Sequence, residues 1–438
     1  MATSAFLQQF QADETKSQYV SAVAGSVLVF ASAFALNAMR RPKEFTTDQG
    51  KRIAELPADV RMSKFIRSRE LSEQGEALAG TEPYLIRSGP YRELVISQPD
   101  QVHEFYRSDS KAHTKPRNLN LGEPFGRFLG PCVGVQYGDH WRAIRKHFDP
   151  PFAFHPSYWT LLELNDQHDA IMMDMLVSKH PDSKLYNLLP SAPRKRLQEF
   201  HTRWQEFNRL IVENARVGGW ACPVETIYRG VEPDQDFTED AFLATMTEIL
   251  FANVNISAEV FRTIFTNLAA HSRIQTALRQ EIRDRKAKPD FDLSKYLAKQ
   301  DTLLNRVLME SMRISPAFWF SMPEATAEPK KIGGYNIPAG TPVVIDTRRL
   351  NNGAATWGAT GADRFDPDRF LKVASQDLRC GFMRFGTGAA SGRCLGKNVA
   401  DAVFKLTVME VLERFRLESV SESGKEARKV DVRLVALK

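Results

Sequence analysis

Near the C-terminal end of the chain, residues 384–397 read RFGTGAASGRCLGK. Cys394 lies in this glycine-rich loop, and an apolar segment with helical periodicity starts directly after it. Glycine lets a loop backbone pack closely against a flat ligand, and backbone amides at the start of a helix stabilise a thiolate. The segment therefore predicts either a ligand-binding thiolate or a helix-capping loop with an inert thiol.

Three segments upstream of the cysteine loop narrow this choice. Glu310 and Arg313 are three residues apart on a predicted helix, so their side chains share one helix face. Residues 334–344, GYNIPAGTPVV, predict two strands joined by a turn. The segment FDPDRF at 365–370 supplies Arg369. We expect Arg369 to complete a buried network with the other two charges, because breaking such a network leaves a charge without a partner.

The helix, the two strands, the Phe-x-Pro-x-Arg-Phe segment and the cysteine loop resemble, in this order, the C-terminal half of the cytochrome P-450 monooxygenases. The resemblance implies a mainly α-helical fold with small β-sheets. It also implies a bound haem b (iron-protoporphyrin IX) with the Cys394 thiolate as axial ligand of the iron, which favours O–O cleavage. Further residues of the loop are implied to contact the haem: Phe385, Gly388, Arg393 and Gly396.

A second resemblance lies far upstream. Residues 141–145, WRAIR, resemble the Trp-x-x-x-Arg helix of the family. In that helix the two side chains lie one turn apart and donate hydrogen bonds to the haem propionates. The resemblance implies this role for Trp141 and Arg145. An amphipathic surface helix is the alternative, because Arg142 and Lys146 add positive charge beside them.

A long helix, expected to cross the distal face of the haem, is predicted from Thr238 to His271 because no proline interrupts the run. Asn255 stands where the family has an acid, and Ile256 stands where it has an alcohol. Ser257 is displaced by one residue, which rotates it about 100° around the helix. Asn255 and Ser257 are the candidates for distal proton delivery, although an amide cannot pass on a proton as a carboxyl does.

Aromatic and apolar side chains at two places in the chain predict the substrate pocket. Two of them lie on the long helix, and three follow the helix that carries Glu310. Such a pocket suits a lipophilic or aromatic small molecule, and the alternative is that half of these side chains fill the core. The candidate pocket residues are Phe251, Val254, Phe318, Phe320 and Met322.

The chain departs from the family pattern in three further places. Residues 389–391 lengthen the cysteine loop. Pro323-Glu324 stand where many members carry a propionate-binding arginine. The stretch between Arg145 and Ala252 is shorter than in most members, with the shortfall placed near residues 180–190. Either two helices at the rim of the domain are missing or the coding sequence has lost a segment.

The resemblance implies a haem-thiolate monooxygenase that oxidises a lipophilic small molecule with dioxygen and electrons from an NADPH-cytochrome P-450 reductase. The amino-acid sequence of the loop is similar to that of filamentous-fungal members that act on secondary metabolites, which implies a substrate of this kind. Two alternatives stay open. The Asn255/Ile256 pair favours an isomerase, dehydratase or oxidative-coupling enzyme with the same fold and haem. The shortened middle favours a haem-deficient, non-enzymatic remnant.

The N-terminal part of the chain predicts a membrane anchor. Residues 19–38 are uncharged and mostly apolar, and twenty residues are enough to cross a bilayer as a helix. Basic residues at 40, 41 and 43 follow, which predicts a cytosolic catalytic domain. We expect residues 1–43 to form a single-pass anchor in the endoplasmic reticulum membrane and residues 44–438 to form one haem-binding catalytic domain. A cleaved signal peptide is the alternative, and acidic residues before the apolar run argue against it.

Composition excludes two other classes of protein. Four scattered cysteines are too few for a disulfide framework and have no metal-ligand spacing. The net charge is +6, and no basic stripe interleaved with aromatic residues indicates a nucleic-acid partner. Positive charge gathers on the predicted haem side, where it forms either a docking surface for an acidic reductase or a solvated face. The residues are Arg142, Arg145, Lys146, Arg393 and Lys397.

Overall fold

The computed structural model describes residues 45–57, 64, 67–88, 91–116, 129–152, 192–220, 222–231, 234, 236–252, 256–358, 361–386, 393–420 and 431–437. Several predictions made above lie outside these residues. They concern the anchor at 19–38, the shortfall near 180–190, Val254, Asn255, Gly388 and the side chain of Phe251. Within the described residues, no helix combines the length and the apolar composition needed to cross a membrane.

The chain divides into two units, Met1–Arg52 and Ile53–Lys438. In the described part of the first unit, strand β1 (Thr46–Thr47) leads into a tight loop, and Thr46 forms an antiparallel bridge with Arg52. The second unit contains every other element described below.

Helices dominate the second unit, as the 3.6-residue periodicity of the sequence predicts. Four of them begin at a residue whose side chain accepts a hydrogen bond from a backbone N–H of the first turn: Thr238, Asp292, Thr302 and Asp346. The helices are α1 Ser68–Ala79, α2 Pro99–Tyr106, α3 Gly138–Phe148, α4 Ala192–Gly218, α5 Pro223–Tyr228, α6 Glu239–Phe251, α7 Ser257–Ala270, α8 Ser272–Lys286, α9 Leu293–Ala298, α10 Leu303–Ile314, α11 Thr347–Asn352, α12 Ala354–Trp357, α13 Ser375–Gly381 and α14 Lys397–Arg414, with a 3-10 helix at Pro367–Leu371.

A five-stranded sheet joins the start of this unit to residues 324–345, with the strand order β2-β3-β4-β8-β5. β3 and β4 pair antiparallel, and β4 pairs in parallel with β8, so that Leu94 lies opposite Val343. This parallel pair connects segments that are far apart in the chain. The strands are β2 Ala54–Pro57, β3 Tyr84–Ser88, β4 Tyr91–Ile96, β5 Glu324–Ala325 and β8 Pro342–Ile345.

The two strands predicted within residues 334–344 are both present, but they do not pair with each other. The first is β7 (Tyr335–Ile337), which pairs antiparallel with β6 (Lys330–Ile332) through a turn at Gly333 and Gly334. Both glycines have positive φ angles, of 55° and 84°, which favour glycine. The second strand is β8 of the five-stranded sheet. The last two strands of the chain, β9 (Phe415–Val420) and β10 (Asp431–Ala436), pair antiparallel.

Two clusters of buried apolar side chains fill the helical part. One gathers α3, α4, α5 and α6, and its centre includes Phe148 in edge and tilted contacts with Phe237 and Phe242. The other gathers α7 to α10 with α14, and includes the fully buried Ile264 and Val408. The long helix predicted from Thr238 to His271 therefore contributes α6 to one cluster and α7 to the other.

A buried charge network fixes α10 against the segment that follows the sheets. The Glu310 carboxylate accepts hydrogen bonds from Arg313 Nε at 2.7 Å and Nη2 at 2.9 Å. It also accepts the backbone N–H of Asp366 at 2.9 Å, and Arg369 Nε lies 3.4 Å from it. The Glu310 and Arg313 side chains have no exposed surface. The structure thus brings together the three residues of the predicted network.

The same network reaches the start of the cysteine loop. Arg313 Nη1 donates to the carbonyl of Asn351 at 3.1 Å. The side chain of the fully buried Asn351 then bonds both backbone groups of Met383, donating to its carbonyl and accepting from its N–H, each at 2.8 Å. Met383 lies two residues before Phe385, so the charges on α10 determine where the loop begins.

We expect Arg313→Ala to destabilise the protein by about 3–5 kcal/mol, because it leaves the buried Glu310 carboxylate without its partner. The measurement is the free energy of unfolding in urea, together with the yield of soluble protein. Arg262→Ala is the matched control. Arg262 pairs with Glu259 at the same spacing in α7, but this pair is exposed, so the change should stay within about 0.5 kcal/mol. Equal losses for the two variants would contradict a structural role of the buried pair.

Candidate functional site

Cys394 lies where the cysteine loop returns to its base and α14 begins. Its backbone N–H donates to the carbonyl of Phe385 at 3.0 Å, which closes the loop across the intervening residues. Gly386, next to this contact, has a φ of 74° that favours glycine. Cys394 is exposed, unlike Cys132 and Cys222, which are buried. Part of Cys394 is therefore accessible to solvent, whereas Cys132 and Cys222 are enclosed in the core.

The electrostatic environment of the Cys394 thiol is balanced between opposing effects. Desolvation by the surrounding protein raises its pKa above the ordinary value, although the residue is accessible to solvent. The backbone amides of Gly396 and Lys397, at the start of α14, act in the opposite direction, as does the charge of Arg145. Glu248 raises the pKa. A positive ion bound at the sulfur would shift this balance to the thiolate.

Helix α3 brings Trp141 and Arg145 to the cysteine loop. Arg145 Nη1 donates to the carbonyl of Arg393, the residue before Cys394, at 3.2 Å. The guanidinium lies over the indole ring of Trp141, 5.3 Å from its centre, and its Nε is 2.6 Å from a carboxylate oxygen of Asp149. Trp141 and Arg145 are therefore a pair of nitrogen donors one helical turn apart, and Arg145 connects the pair to the residue before Cys394.

The remaining predicted loop residues have different surroundings. Phe385 is partly buried against the cluster of α7 to α10 and α14, and the guanidinium of Arg384 lies 4.8 Å from its ring centre. Arg393 is exposed. Gly396 is the N-cap of α14, and a Cβ there would lie 4.0 Å from the Cys394 sulfur, an ordinary contact. Gly396 is therefore not required by crowding against the cysteine.

Sequence reasoning missed a polar group between the long helix and the segment that leads into α3. Lys115 is buried and its Nζ donates to the carbonyl of Gly134 at 2.6 Å. The N–H of Gly134 donates to Glu248 Oε2 at 2.8 Å. Burial lowers the pKa of Lys115, while Glu248 and Glu324 raise it. The backbone of one residue, Gly134, thus lies between a buried ammonium and a carboxylate of α6.

Two neighbouring contacts extend this group. Burial raises the pKa of the Cys132 thiol, and Glu248, which accepts a hydrogen bond from it, raises it further. One turn before Glu248 in the same helix, Thr245 Oγ1 accepts the N–H of Val133 at 3.1 Å. The signal available in the sequence was Glu248 itself, a charged residue within an apolar helix and seven residues before Asn255.

Glu324 stands where many family members have an arginine, and its side chain takes a structural role here. Its carboxylate accepts a hydrogen bond from the hydroxyl of Tyr106 at 3.1 Å and lies 3.3 Å from His113 Nδ1. The ring of His113 also lies 2.9 Å from Asp109 through Nε2, and stacks on Phe105. Glu324 is therefore a member of a buried polar cluster around a histidine.

Two described residues of the predicted long helix depart from the α-helical turn. Helix α6 ends at Phe251 and α7 begins at Ser257. Ala252 and Ile256, on either side of the residues that the structure leaves undescribed, have the wider turn of a π-helix. Such turns often mark functional positions within helices. Ser257 is partly buried at the start of α7.

The predicted pocket residues separate into two kinds. Phe320 is buried with Tyr84, Val95 and Val344 in a cluster against the five-stranded sheet. Its assignment to a pocket wall stays a prediction. Phe318 and Met322 are instead 39% and 38% exposed, which leaves part of each side chain for a ligand to cover.

Comparison with known proteins identifies the family of the chain. The sequence profile of the cytochrome P-450 family matches residues 225–436. The chain is 64% identical to the cytochrome P-450 monooxygenase opdB of Penicillium oxalicum, over 100% of both chains. The chain belongs to the cytochrome P-450 family. The P-450 monooxygenase apdB of Emericella nidulans is 40% identical over 90% of this chain and 91% of its own.

These relatives confirm the prediction of an enzyme of the P-450 monooxygenase type. The fold prediction is confirmed as well, for its mainly helical part with small sheets. A zebrafish cytochrome P-450 structure with progesterone superposes with a TM-score of 0.61 at 18% identity, covering 84% of this chain and 98% of that one. At this identity the likeness concerns the fold alone.

The alignment with the Penicillium oxalicum relative also measures a difference in length. The 438 residues of this chain align over 498 positions, so at least 60 positions of the alignment have no residue from this chain. Because all of the relative is covered, this P-450 lacks segments that the relative possesses.

The residues around Cys394 fit the haem-thiolate cofactor that the family implies. Cys394 is an exposed residue, and two backbone amides at the start of α14 act to lower the pKa of its thiol. Arg145 bonds the residue before Cys394 and its guanidinium lies over the Trp141 ring, and indole and guanidinium groups are donors that suit the carboxylate side chains of a porphyrin. The donor set is thus one soft ligand for iron and, beside it, cationic and neutral donors for acids.

We expect Gly134→Ala to cost about 1–3 kcal/mol of stability, because the added Cβ would lie 1.8 Å from Glu248 Oε1 and would push the carboxylate away. Glu248→Ala alone should also destabilise, since it removes the acceptor of the Gly134 N–H. The measurement is a double-mutant cycle by urea unfolding. The double variant should cost less than the two single variants together, and strict additivity would show that the two residues do not constrain each other.

Proposed function

We propose that this P-450 is a haem-thiolate monooxygenase that inserts one oxygen atom from dioxygen into a lipophilic small molecule. The observation that carries the proposal is the exposed Cys394 at the start of α14, with Arg145 of α3 bonded to the residue before it. The haem is haem b, with iron bound by the Cys394 sulfur. When bound, this group supplies the activation of dioxygen.

The chain's own residues hold and orient this group. Trp141 and Arg145 donate to its acidic side chains, and the buried ammonium of Lys115 adds a third donor on the same side. Lys115 lies within electrostatic reach of Arg145 in the structure. Lys115 thus supplies a positive charge in place of the arginine that many family members carry near the position of Glu324. Phe385, Gly388, Arg393 and Gly396 form the loop that faces the group.

The substrate is a secondary metabolite with apolar or aromatic surface. Phe318 and Met322 support this choice, because their exposed apolar surface would be covered by such a molecule. The similarity to P-450 monooxygenases of Penicillium, Emericella and Aspergillus also supports a fungal substrate. Phe251 and Val254 complete the pocket in this proposal.

Electrons come from an NADPH-cytochrome P-450 reductase. The support is a group of exposed basic residues around the cysteine loop and α3, which suits an acidic partner. Arg142 is exposed and pairs with Asp139, and Lys146 is exposed near Asp234. Arg393 and Lys397 are exposed on the loop side.

A second candidate is chemistry without oxygen insertion: isomerisation, dehydration or oxidative coupling on the same fold and haem. The specific observation is that Ile256 offers no hydroxyl where the family has an alcohol, and Asn255 offers an amide instead of an acid. Turnover under isotopically labelled dioxygen separates the two candidates. Label in the product supports oxygen insertion, and unlabelled product formed at the same rate supports the alternative. A protein that takes up no haem would instead support the third alternative, a non-enzymatic remnant of the family.

Cys394→Ala should remove the thiolate-type Soret band from the carbon monoxide complex of the reduced protein, because the iron loses its sulfur ligand. The control is Cys380→Ala, which removes a partly buried cysteine that lies fourteen residues earlier and has a raised pKa through desolvation. This variant should keep the band at wild-type intensity per haem. Loss of the band in Cys380→Ala with retention in Cys394→Ala would reverse the assignment.

We propose a single-pass anchor in the endoplasmic reticulum membrane for residues 1–43, with the catalytic domain in the cytosol. Deleting these residues should move the protein from the membrane pellet to the supernatant and leave haem binding intact, because every haem contact proposed here lies downstream. Protease added to sealed microsomes should digest the catalytic domain of the full chain. A protected domain would mean the opposite orientation.

A further inference from the structure

A second buried ion cluster lies behind the cysteine loop, separate from the Glu310 network. Its centre is Asp401, in the second turn of α14. Arg384 Nη1 lies 2.8 Å from Asp401 Oδ1, and Lys405 Nζ lies 2.7 Å from Asp401 Oδ2. The side chains of Arg384 and Asp401 are only 12% and 9% exposed. One carboxylate therefore binds two cations in largely buried surroundings.

The two cations connect Asp401 to different parts of the protein. Arg384 directly precedes Phe385, whose carbonyl accepts the N–H of Cys394. Lys405 also donates to the carbonyl of Leu297 at the end of α9, at 2.8 Å. The Arg384 side of the cluster thus holds the cysteine loop, and the Lys405 side holds a neighbouring helix.

Burial removes these charges from water, which costs free energy that the ion pairs only partly recover. Desolvation lowers the pKa of Arg384 and that of Lys405, and Asp401 opposes both shifts. A buried ion pair adds little net stability compared with apolar residues of the same size, and its best-attested use is to specify one register among several. Here the register is the position of the segment that enters the loop, at Arg384, relative to α14.

That register decides where the thiol lies. The loop enters through Arg384 and Phe385, and leaves through Cys394 into the first turn of α14. The amides that act on the sulfur belong to Gly396 and Lys397, on the same helix as Asp401. If the loop moved along α14, the sulfur would move relative to these amides and to the Arg145 contact at Arg393.

We propose that Arg384 and Asp401 are a positioning pair that holds the cysteine loop in the one register in which Cys394 serves as thiolate ligand. The proposal rests on the haem-thiolate function proposed above. Lys405 has a different part, because it ties α14 to α9 and does not contact the loop. Arg384 and Asp401 act on Cys394 through the loop and α14, as positioning residues.

The test compares variants of the full-length holoprotein. Arg384→Gln leaves the Asp401–Lys405 pair intact, and Asp401→Asn removes the centre of the cluster. The readouts are the ratio of thiolate-type to non-thiolate Soret band in the reduced carbon monoxide complex, per haem, and the reduction potential of the bound iron. Both variants should lower the ratio several-fold and shift the potential, and Arg384→Lys should restore part of the ratio because it keeps the charge.

Two controls separate positioning from stability. Glu410→Gln removes an exposed carboxylate of the same helix, which pairs with Arg414 at 2.8 Å, and should change neither readout. Lys405→Met should lower the melting temperature but keep the wild-type band ratio.

A wild-type ratio and potential in Arg384→Gln would overturn the proposal, and this variant decides the matter if Asp401→Asn yields no holoprotein. Loss of the ratio in Lys405→Met equal to that in Arg384→Gln would also overturn it, because the effect would then be one of general stability. Absence of the thiolate-type band from the wild-type protein would instead refute the haem-thiolate function itself.

Discussion

The buried pair of Glu310 and Arg313 is the contact on which the catalytic part of the molecule depends. Both side chains are fully enclosed, so neither charge has water as an alternative partner. Arg313 donates further hydrogen bonds to backbone carbonyls of distant segments, including that of Asn351. Since a buried charge without its partner is far more costly than a broken surface pair, these segments have one permitted position. That position reaches the cysteine loop through the two bonds between Asn351 and Met383.

The cysteine loop is thereby held by charged groups on each side, and the held thiol has a particular character. Arg384 is bound to α14 before the loop, and Arg145 of α3 binds the carbonyl of Arg393 just before the cysteine. Desolvation raises the pKa of the thiol, while two amides and Arg145 oppose this effect. A free nucleophilic cysteine needs a lowered pKa without help from a ligand. The arrangement around Cys394 instead suits a sulfur that becomes a thiolate when it binds a metal.

The sequence could predict features whose partners are close in the chain or share a helix face. Glu310 and Arg313 are three residues apart, and their pairing follows from helical geometry alone. Strand partners could not be predicted in this way. The strand at Pro342–Ile345 fits the turn before it, yet it pairs with Tyr91–Ile96, and only tertiary packing decides that choice. The burial of Phe320 against the sheet could not be predicted for the same reason, because an aromatic residue suits a pocket wall and a sheet core equally well.

The polar contacts of the long helix connect it, through α3, to the cysteine loop. Thr245 and Glu248 lie one turn apart and accept consecutive backbone N–H groups, those of Val133 and Gly134. The segment held in this way leads directly into α3, whose Arg145 binds the cysteine loop on the other side. The two contacts on α6 thus set the position of a helix that also positions the loop. A Cβ at Gly134 would lie 1.8 Å from Glu248 Oε1, so the close approach of this backbone to the carboxylate depends on glycine at that position.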